Sequence, residues 1–318
     1  MTEAIQVEEL TKVFTTAKNR PPLRAVDKIS FTVHEGEVFG FLGPNGAGKT
    51  STIRVLTGLS RPTAGKAHVL GLNLDKDLPR IKKCIGVVPE ASNLYDELTA
   101  YDNLVFAMQL YGVPRSERKV RAEALLEHFR LSEKRDAPFA ILSRGMKRAL
   151  TIATALAHRP PLVFLDEPTT GLDVMSARNL RGMIAGLRDE GVTVFLTTHY
   201  LEEAERLCDR VAIIVKGRIV ALDTVAGLRS GAQRKTIVEM TLADSNGQQE
   251  KKRIECEDGD SGVESAIQCL LSETGGRRVL AVDTLRPSLE DVFIQLTGLS
   301  ADVMLSDKGG KGGGNAGG

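Results

Sequence analysis

The chain has 318 residues and carries 42 Lys and Arg against 41 Asp and Glu, a formal net charge of +1. That balance excludes the broad basic field by which nucleic acid is held, so no nucleic acid is expected as a partner and a local surface must select whatever binds. With 42% hydrophobic residues the chain can bury a full core, one large domain and a smaller one, yet no apolar run approaches the ~18–20 residues of a membrane span.

In chain order, the first expected element is an apolar strand over residues 10–14, followed by a polar loop over 15–23 that carries Pro21 and Pro22. Val38–Leu42 reads as a buried strand and runs into Gly43, Pro44, Asn45, Gly46, Ala47, Gly48, Lys49, Thr50 and Ser51. This stretch fits G-x-x-x-x-G-K-[ST], and the helix after it places Ile53 and Leu56 on one face. Glycines lack a Cβ, so successive N–H groups can turn inward as an anion nest at a helix N-terminus. Lys49 adds a full positive charge there, and Thr50 offers a hydroxyl to Mg²⁺. Strand, loop and helix in this order imply a cradle for a nucleoside triphosphate.

Downstream come Gly86, Val87, Val88, Pro89 and Glu90, then helices expected over 100–110 and 117–129. Residues 142–147 precede a helical stripe of Met146, Leu150, Ala153 and Ala157, with Ser143 as the N-cap. After Pro160 and Pro161 an apolar run over 162–165 ends in Asp166 and Glu167 and reads as a fully buried strand. A hard cation demands oxygen ligands, so Asp166 can hold Mg²⁺, while Glu167 can polarise a water for attack on a γ-phosphate. Residues 168–173, ending in Asp173, follow, and a further strand over 192–198 ends at His199.

Beyond Arg229 the pattern changes. Strands are expected over 236–242, 251–256 and 278–282, with a helix over 262–272 between the second and third. A last helix starts at Ser288, with Asp291 placed for a capping box and Leu289, Val292, Phe293 and Leu296 on one face. The glycine- and lysine-rich residues 307–318 cannot bury enough surface to fold and are expected to be disordered. Cys84, Cys208, Cys256 and Cys269 are too scattered for a zinc or disulfide pattern, which points to reduced thiols, and Met1 to Gln6 shows no leader pattern.

The order of these motifs resembles that of the ATP-binding-cassette (ABC) ATPases. The resemblance implies an α/β fold, a P-loop NTPase cassette over residues 1–229 with a mostly parallel sheet and a helical subdomain at about 91–158. Residues 230–300 then form a small α+β accessory domain and 301–318 a flexible tail. The stretch 287–293 resembles the C-terminal domain of ATPases serving separate-chain, ABC-2-type exporters of drugs, lipids or polysaccharides. By the same resemblance, ATP with Mg²⁺ is bound, and Ser143 and Gly145 grip the γ-phosphate of ATP held by a second ATPase subunit in a homodimer. His199 contacts the γ-phosphate, Asp173 belongs to the nucleotide site, Phe14 stacks on adenine, and Glu90 reaches the metal. The implied partner is an integral membrane permease on a separate chain, docked in a groove at residues 94–98, with the ATPase cytoplasmic and peripheral on the inner face of the membrane.

Two residues depart from that family's pattern. Glu90 stands where glutamine is usual, so it offers oxygen but cannot donate a hydrogen bond and adds negative charge. Arg144 stands where the first glycine of the signature is usual, which makes a glycine-only backbone angle unavailable. Both leave open a second reading, a soluble or regulatory ABC-type module of low turnover that is not coupled to transport.

Overall fold

The computed structural model describes residues 2–15, 21–231, 236–243, 249–257, 259–275, 277–285, 288–299 and 304. The expected tail over 307–318 lies outside them, as do Pro287 and residues 16–20 of the expected loop. The chain forms two compact units divided between Leu222 and Asp223.

The first unit holds two sheets. One comprises β1 (Glu3–Phe14), β2 (Leu23–His34), β4 (Ala64–Val69) and β5 (Leu72–Asn73), paired antiparallel in the order β2-β1-β4-β5. The other comprises β3 (Val38–Leu42), β6 (Ile85–Val88), β7 (Leu162–Asp166), β8 (Thr193–Thr198), β9 (Arg210–Val215) and β10 (Arg218–Thr224), in the order β10-β9-β3-β8-β7-β6. From β9 to β6 every pairing is parallel. β3, β7 and β8 are buried along their whole length, around the apolar runs Val38–Leu42, 162–165 and 194–196. Phe31 of β2 meets Phe39, Phe41 and Phe195 at centroid distances of 5.6, 5.5 and 6.0 Å, and Phe164 meets Phe195 at 5.5 Å, so aromatic rings join the two sheets in one core.

The α-helices of this unit include α1 (Lys49–Leu56), α2 (Leu78–Cys84), α3 (Ala100–Leu110), α4 (Arg115–His128), α5 (Arg144–Ala155), α6 (Val174–Asp189) and α7 (Leu201–Leu207). Thr99 caps α3 by accepting from the Asp102 N–H, and buried Asn103 bonds both the N–H and the carbonyl of Tyr95, fixing the turn at 94–98. α3, α4 and α5 pack on one another between β6 and β7 in the chain. α5 is buried nearly all round, against α3, α4, α6 and β6, and so is more than the amphipathic stripe its sequence suggests.

The second unit begins with α8 (Val225–Ser230), so the division falls before this helix and not at Arg229. The reason is packing: Thr224 caps α8 as a new helix, which lies against α10 (Leu289–Thr297). β11 (Thr236–Ala243) pairs antiparallel between β12 (Gln249–Cys256) and β13 (Arg278–Leu285), and α9 (Asp260–Ser272) covers it by packing Ala266 and Leu270 on Val238, Met240 and Leu242. Ser288 and Asp291 form the expected capping box at α10, with Leu289, Val292 and Phe293 buried and Leu296 exposed.

Candidate active site

The loop between β3 and α1 is shaped by its glycines. Gly46 and Gly48 have φ of 79° and 115°, and a Cβ on Gly48 would lie 2.4 Å from the Ala25 carbonyl oxygen, a clash no other residue escapes. The first intrahelical bond of α1 runs from the Thr52 N–H to the Gly48 oxygen at 2.9 Å, so the amides of Lys49, Thr50 and Ser51 precede it at the positive end of the helix dipole. No side chain caps this N-terminus and no acid stands in its first turn, which leaves the amides for an anion. The residues therefore fit a phosphate group.

Adjacent strands β3, β8 and β7 bring their C-terminal ends together, and this register builds the rest of the site. Asp166 closes β7, and its Oδ1 accepts from Thr197 Oγ1 at 2.6 Å and from Thr50 Oγ1 at 3.3 Å. Glu167 turns sharply with φ of 49°, a left-handed value that costs a non-glycine residue about 1–3 kcal/mol. Its N–H is held by both the carbonyl and the hydroxyl of Thr197, at 3.1 Å each. So placed, its Oε1 pairs with Lys49 Nζ at 3.0 Å and its Oε2 lies 2.7 Å from His199 Nδ1 and accepts from Thr170 Oγ1 at 3.1 Å. Lys49 also donates to the carbonyls of Gly43 and Pro44.

Burial pushes the Asp166 carboxyl up from its ordinary value, against the Thr197 and Thr50 bonds. Burial acts the same way on Glu167, but the His199 bond and the Lys49 charge together outweigh it and hold this carboxyl below 4.5. Glu167 is thus ionised at neutral pH, as a proton acceptor must be. Among the described residues no cluster of three or more His, Cys, Asp or Glu could hold a metal. The converging oxygens of Thr50 and Asp166 supply a minority of the six that Mg²⁺ takes, which fits a cation that arrives with phosphate oxygens as its other ligands.

Other expected site residues fall elsewhere. Ser143 caps α5 by accepting from the Met146 N–H at 3.3 Å and is exposed. A Cβ on Gly145 would lie 2.6 Å from Ser176 Oγ, so close approach to α6 makes this the position that needs glycine. Arg144 has no positive φ and begins α5 as an ordinary helical residue, donating from Nη1 to the Gly171 oxygen at 2.8 Å. The expected backbone obstacle at Arg144 therefore does not arise. Asp173 caps α6, with Ser176 donating from N at 2.9 Å and from Oγ at 2.6 Å, bonds that hold its exposed carboxyl below the usual range. Phe14 ends β1 half-buried, its ring 4.8 Å from Lys12 Nζ. Glu90 is exposed and its carboxylate makes no hydrogen bond or ion pair to Thr50, Asp166 or Lys49; its main-chain oxygen accepts from Arg148 Nη1 at 3.2 Å.

Two buried charged residues beside the site, Arg148 and Glu203, carry no signal in the sequence. Arg148 of α5 bonds main-chain carbonyls around the site, and nothing in periodicity singles it out. Glu203 of α7 is 1% exposed, with neither oxygen in a well-formed hydrogen bond and the Thr198 and Thr169 hydroxyls beside it. Burial pushes its carboxyl above the ordinary 4.5. The folded chain then keeps a proton that the unfolded chain releases above 4.5, so stability falls as pH rises through that window. Glu203→Gln removes this titration. The Tm difference between variant and wild type should grow with pH above 4.5; a difference constant with pH contradicts the assignment.

A glycine loop opening a helix, a strand-end acid pair and a histidine at the C-terminal edge of a parallel sheet define a P-loop nucleoside triphosphatase. Residues 26–170 match the model of the ABC transporter family. The chain is 35% identical over 290 residues to the linearmycin resistance ATP-binding protein LnrL of Bacillus subtilis (strain 168), covering 86% of this chain and 93% of that one. It is 36% identical over 318 residues to the daunorubicin/doxorubicin resistance ATP-binding protein DrrA of Streptomyces peucetius, covering 95% and 94%. A dimeric bacterial ABC transporter cassette superposes with a TM-score of 0.64 at 26% identity, covering 69% of this chain and 98% of that one. The chain belongs to the ABC transporter family, as an ATP-binding subunit with ATPase chemistry.

Proposed function

We propose that this chain powers export: two copies close head to tail around two Mg-ATP and drive an integral membrane permease carried on a separate chain. The observation that carries the reading is similarity to a resistance ATP-binding protein over 95% of this chain, a span that takes in the second unit as well as the cassette. The dimeric cassette it resembles supports the pairing. Among the described residues no helix is long and apolar enough to cross a membrane, which is in keeping with a permease on another chain and a peripheral position on the cytoplasmic face.

In this reading the α1 amides and Lys49 bind the β- and γ-phosphates of ATP, and Thr50 and Asp166 hold Mg²⁺. The cation, when bound, neutralises charge on the phosphate oxygens. Glu167 accepts a proton from water as the water oxygen bonds to the γ-phosphorus; the bond from that phosphorus to the bridging oxygen breaks, and ADP and inorganic phosphate result. His199 orients Glu167 by donating from Nδ1 to its Oε2. Ser143 and Gly145, at the exposed start of α5, complete the site of the other copy.

Affinity purification of the chain from detergent-solubilised membranes tests the assembly. An integral membrane protein retained in fixed ratio, with turnover in proteoliposomes that EDTA abolishes, is the expected result. Recovery of the chain only from the soluble fraction, with no membrane protein bound, contradicts it. The exposed carboxylate of Glu90 gives a further expectation: Glu90→Gln should leave ATP affinity within about twofold, with Mg²⁺ or with EDTA, because an exposed charge is screened by water and salt. Titration of both proteins with ATP checks it, and a tenfold tightening in EDTA would bring Glu90 back into the site.

A further inference from the structure

We propose that Arg148 is a positioning residue that ties the location of the general base to the location of the helix bearing Ser143. The inference rests on the reading of Glu167 as the base and of the start of α5 as the contact to the other copy's ATP.

Arg148 is 5% exposed, yet among the described residues no carboxylate lies within ion-pair distance of it. Its planar guanidinium spends its donors on four main-chain carbonyls: Nε to Pro168 at 2.8 Å, Nη2 to Asp166 at 2.7 Å, and Nη1 to both Pro89 and Glu90, the latter at 3.2 Å. These acceptors lie in two segments otherwise unconnected to α5 by sequence, the turn after β6 and the turn after β7. Asp166 and Pro168 flank Glu167 on either side, and Glu167 occupies a left-handed backbone position that its surroundings must hold. The carboxylates of Asp166, Glu90, Glu203 and Glu167 offset part of the cost of burying the Arg148 charge, and the carbonyl bonds satisfy its N–H groups.

The geometry transmits position because a guanidinium is a rigid fork. Bonds of 2.7–2.8 Å leave the productive range when α5 shifts by about 1 Å, so α5, the Glu90 turn and the flanks of Glu167 move together. Whatever engages the exposed Ser143 end thereby sets the carboxylate of Glu167, and so does whatever presses on the Glu90 turn. A lysine at this position reaches one carbonyl and cannot hold the segments in register.

The test compares Arg148→Lys, Arg148→Ala and Glu167→Gln with wild type, reading kcat, KM, equilibrium ATP affinity and Tm. The expected result for both Arg148 variants is a kcat lowered roughly 10- to 100-fold, the scale of a small misplacement of a reacting group, with ATP affinity within about twofold of wild type. Millimolar guanidinium should restore turnover in Arg148→Ala, and methylammonium should not. Should Arg148→Ala fail to fold, Arg148→Lys carries the same split between kcat and affinity. Unchanged kcat in a folded Arg148 variant overturns the inference, as does a parallel loss of kcat, ATP affinity and Tm without guanidinium rescue. Normal turnover of Glu167→Gln would instead remove the base itself, and this inference with it.

Discussion

Glu167→Gln should lower kcat for ATP by roughly 10² to 10⁴, the range for loss of one general base, and should leave ATP bound. The amide matches the carboxylate in size but cannot accept the proton of water. It also cannot pair with Lys49 at one oxygen and with His199 at the other, as Glu167 does at 3.0 and 2.7 Å. Lys49 is then free of its buried counter-charge and binds phosphate without competition, so ATP affinity should hold or rise. Without nucleotide, the variant leaves Lys49 unpaired in a buried site and should melt lower than wild type; added ATP should therefore raise its Tm more than it raises the wild-type Tm. Turnover at the wild-type rate would remove Glu167 from the chemistry.

Lys49→Ala should weaken ATP binding on the order of 10²- to 10³-fold, since truncating one member of a buried, hydrogen-bonded charge pair costs about 2–5 kcal/mol. Turnover should be lost with it. Two effects combine here. The phosphates lose a full charge, and Glu167 loses one of the two partners that keep it ionised against burial, so its carboxyl moves upward and it is a proton acceptor over a narrower pH range. Isothermal titration with ATP and a phosphate-release assay measure the two separately. Near-normal turnover at saturating ATP in a folded Lys49→Ala protein would contradict the assignment.

Most of this site was legible in the sequence because its parts carry local signals at strand ends. The glycine loop follows β3, Asp166 ends β7 with Glu167 next to it, and His199 follows β8, each within a few residues of the end of an apolar run. What was not legible depends on long-range packing. The antiparallel sheet was missed because β1 breaks its own alternation: Glu9 has φ of 47° and the register shifts between Val7 and Leu10, so no period of two survives. Arg148 was missed because α5 is buried on several faces, from Arg148 to Ala153 without interruption, and a single stripe describes it poorly. At the start of α5 the glycine requirement falls on Gly145, set by Ser176 of a different helix, and not on Arg144. Glu90 shows the same limit from the other side, since its motif position marked the side chain while the structure engages its main-chain carbonyl.

The most direct measurement of the composite-site account is specific ATPase activity as a function of the chain's own concentration, at saturating Mg-ATP and with light scattering on the same samples. Sites completed by Ser143 and Gly145 of a second copy predict that activity per chain rises with concentration in step with the dimer fraction, and that sub-saturating ATP gives a sigmoidal response. Activity per chain that stays constant over a range in which scattering shows only monomer would contradict it.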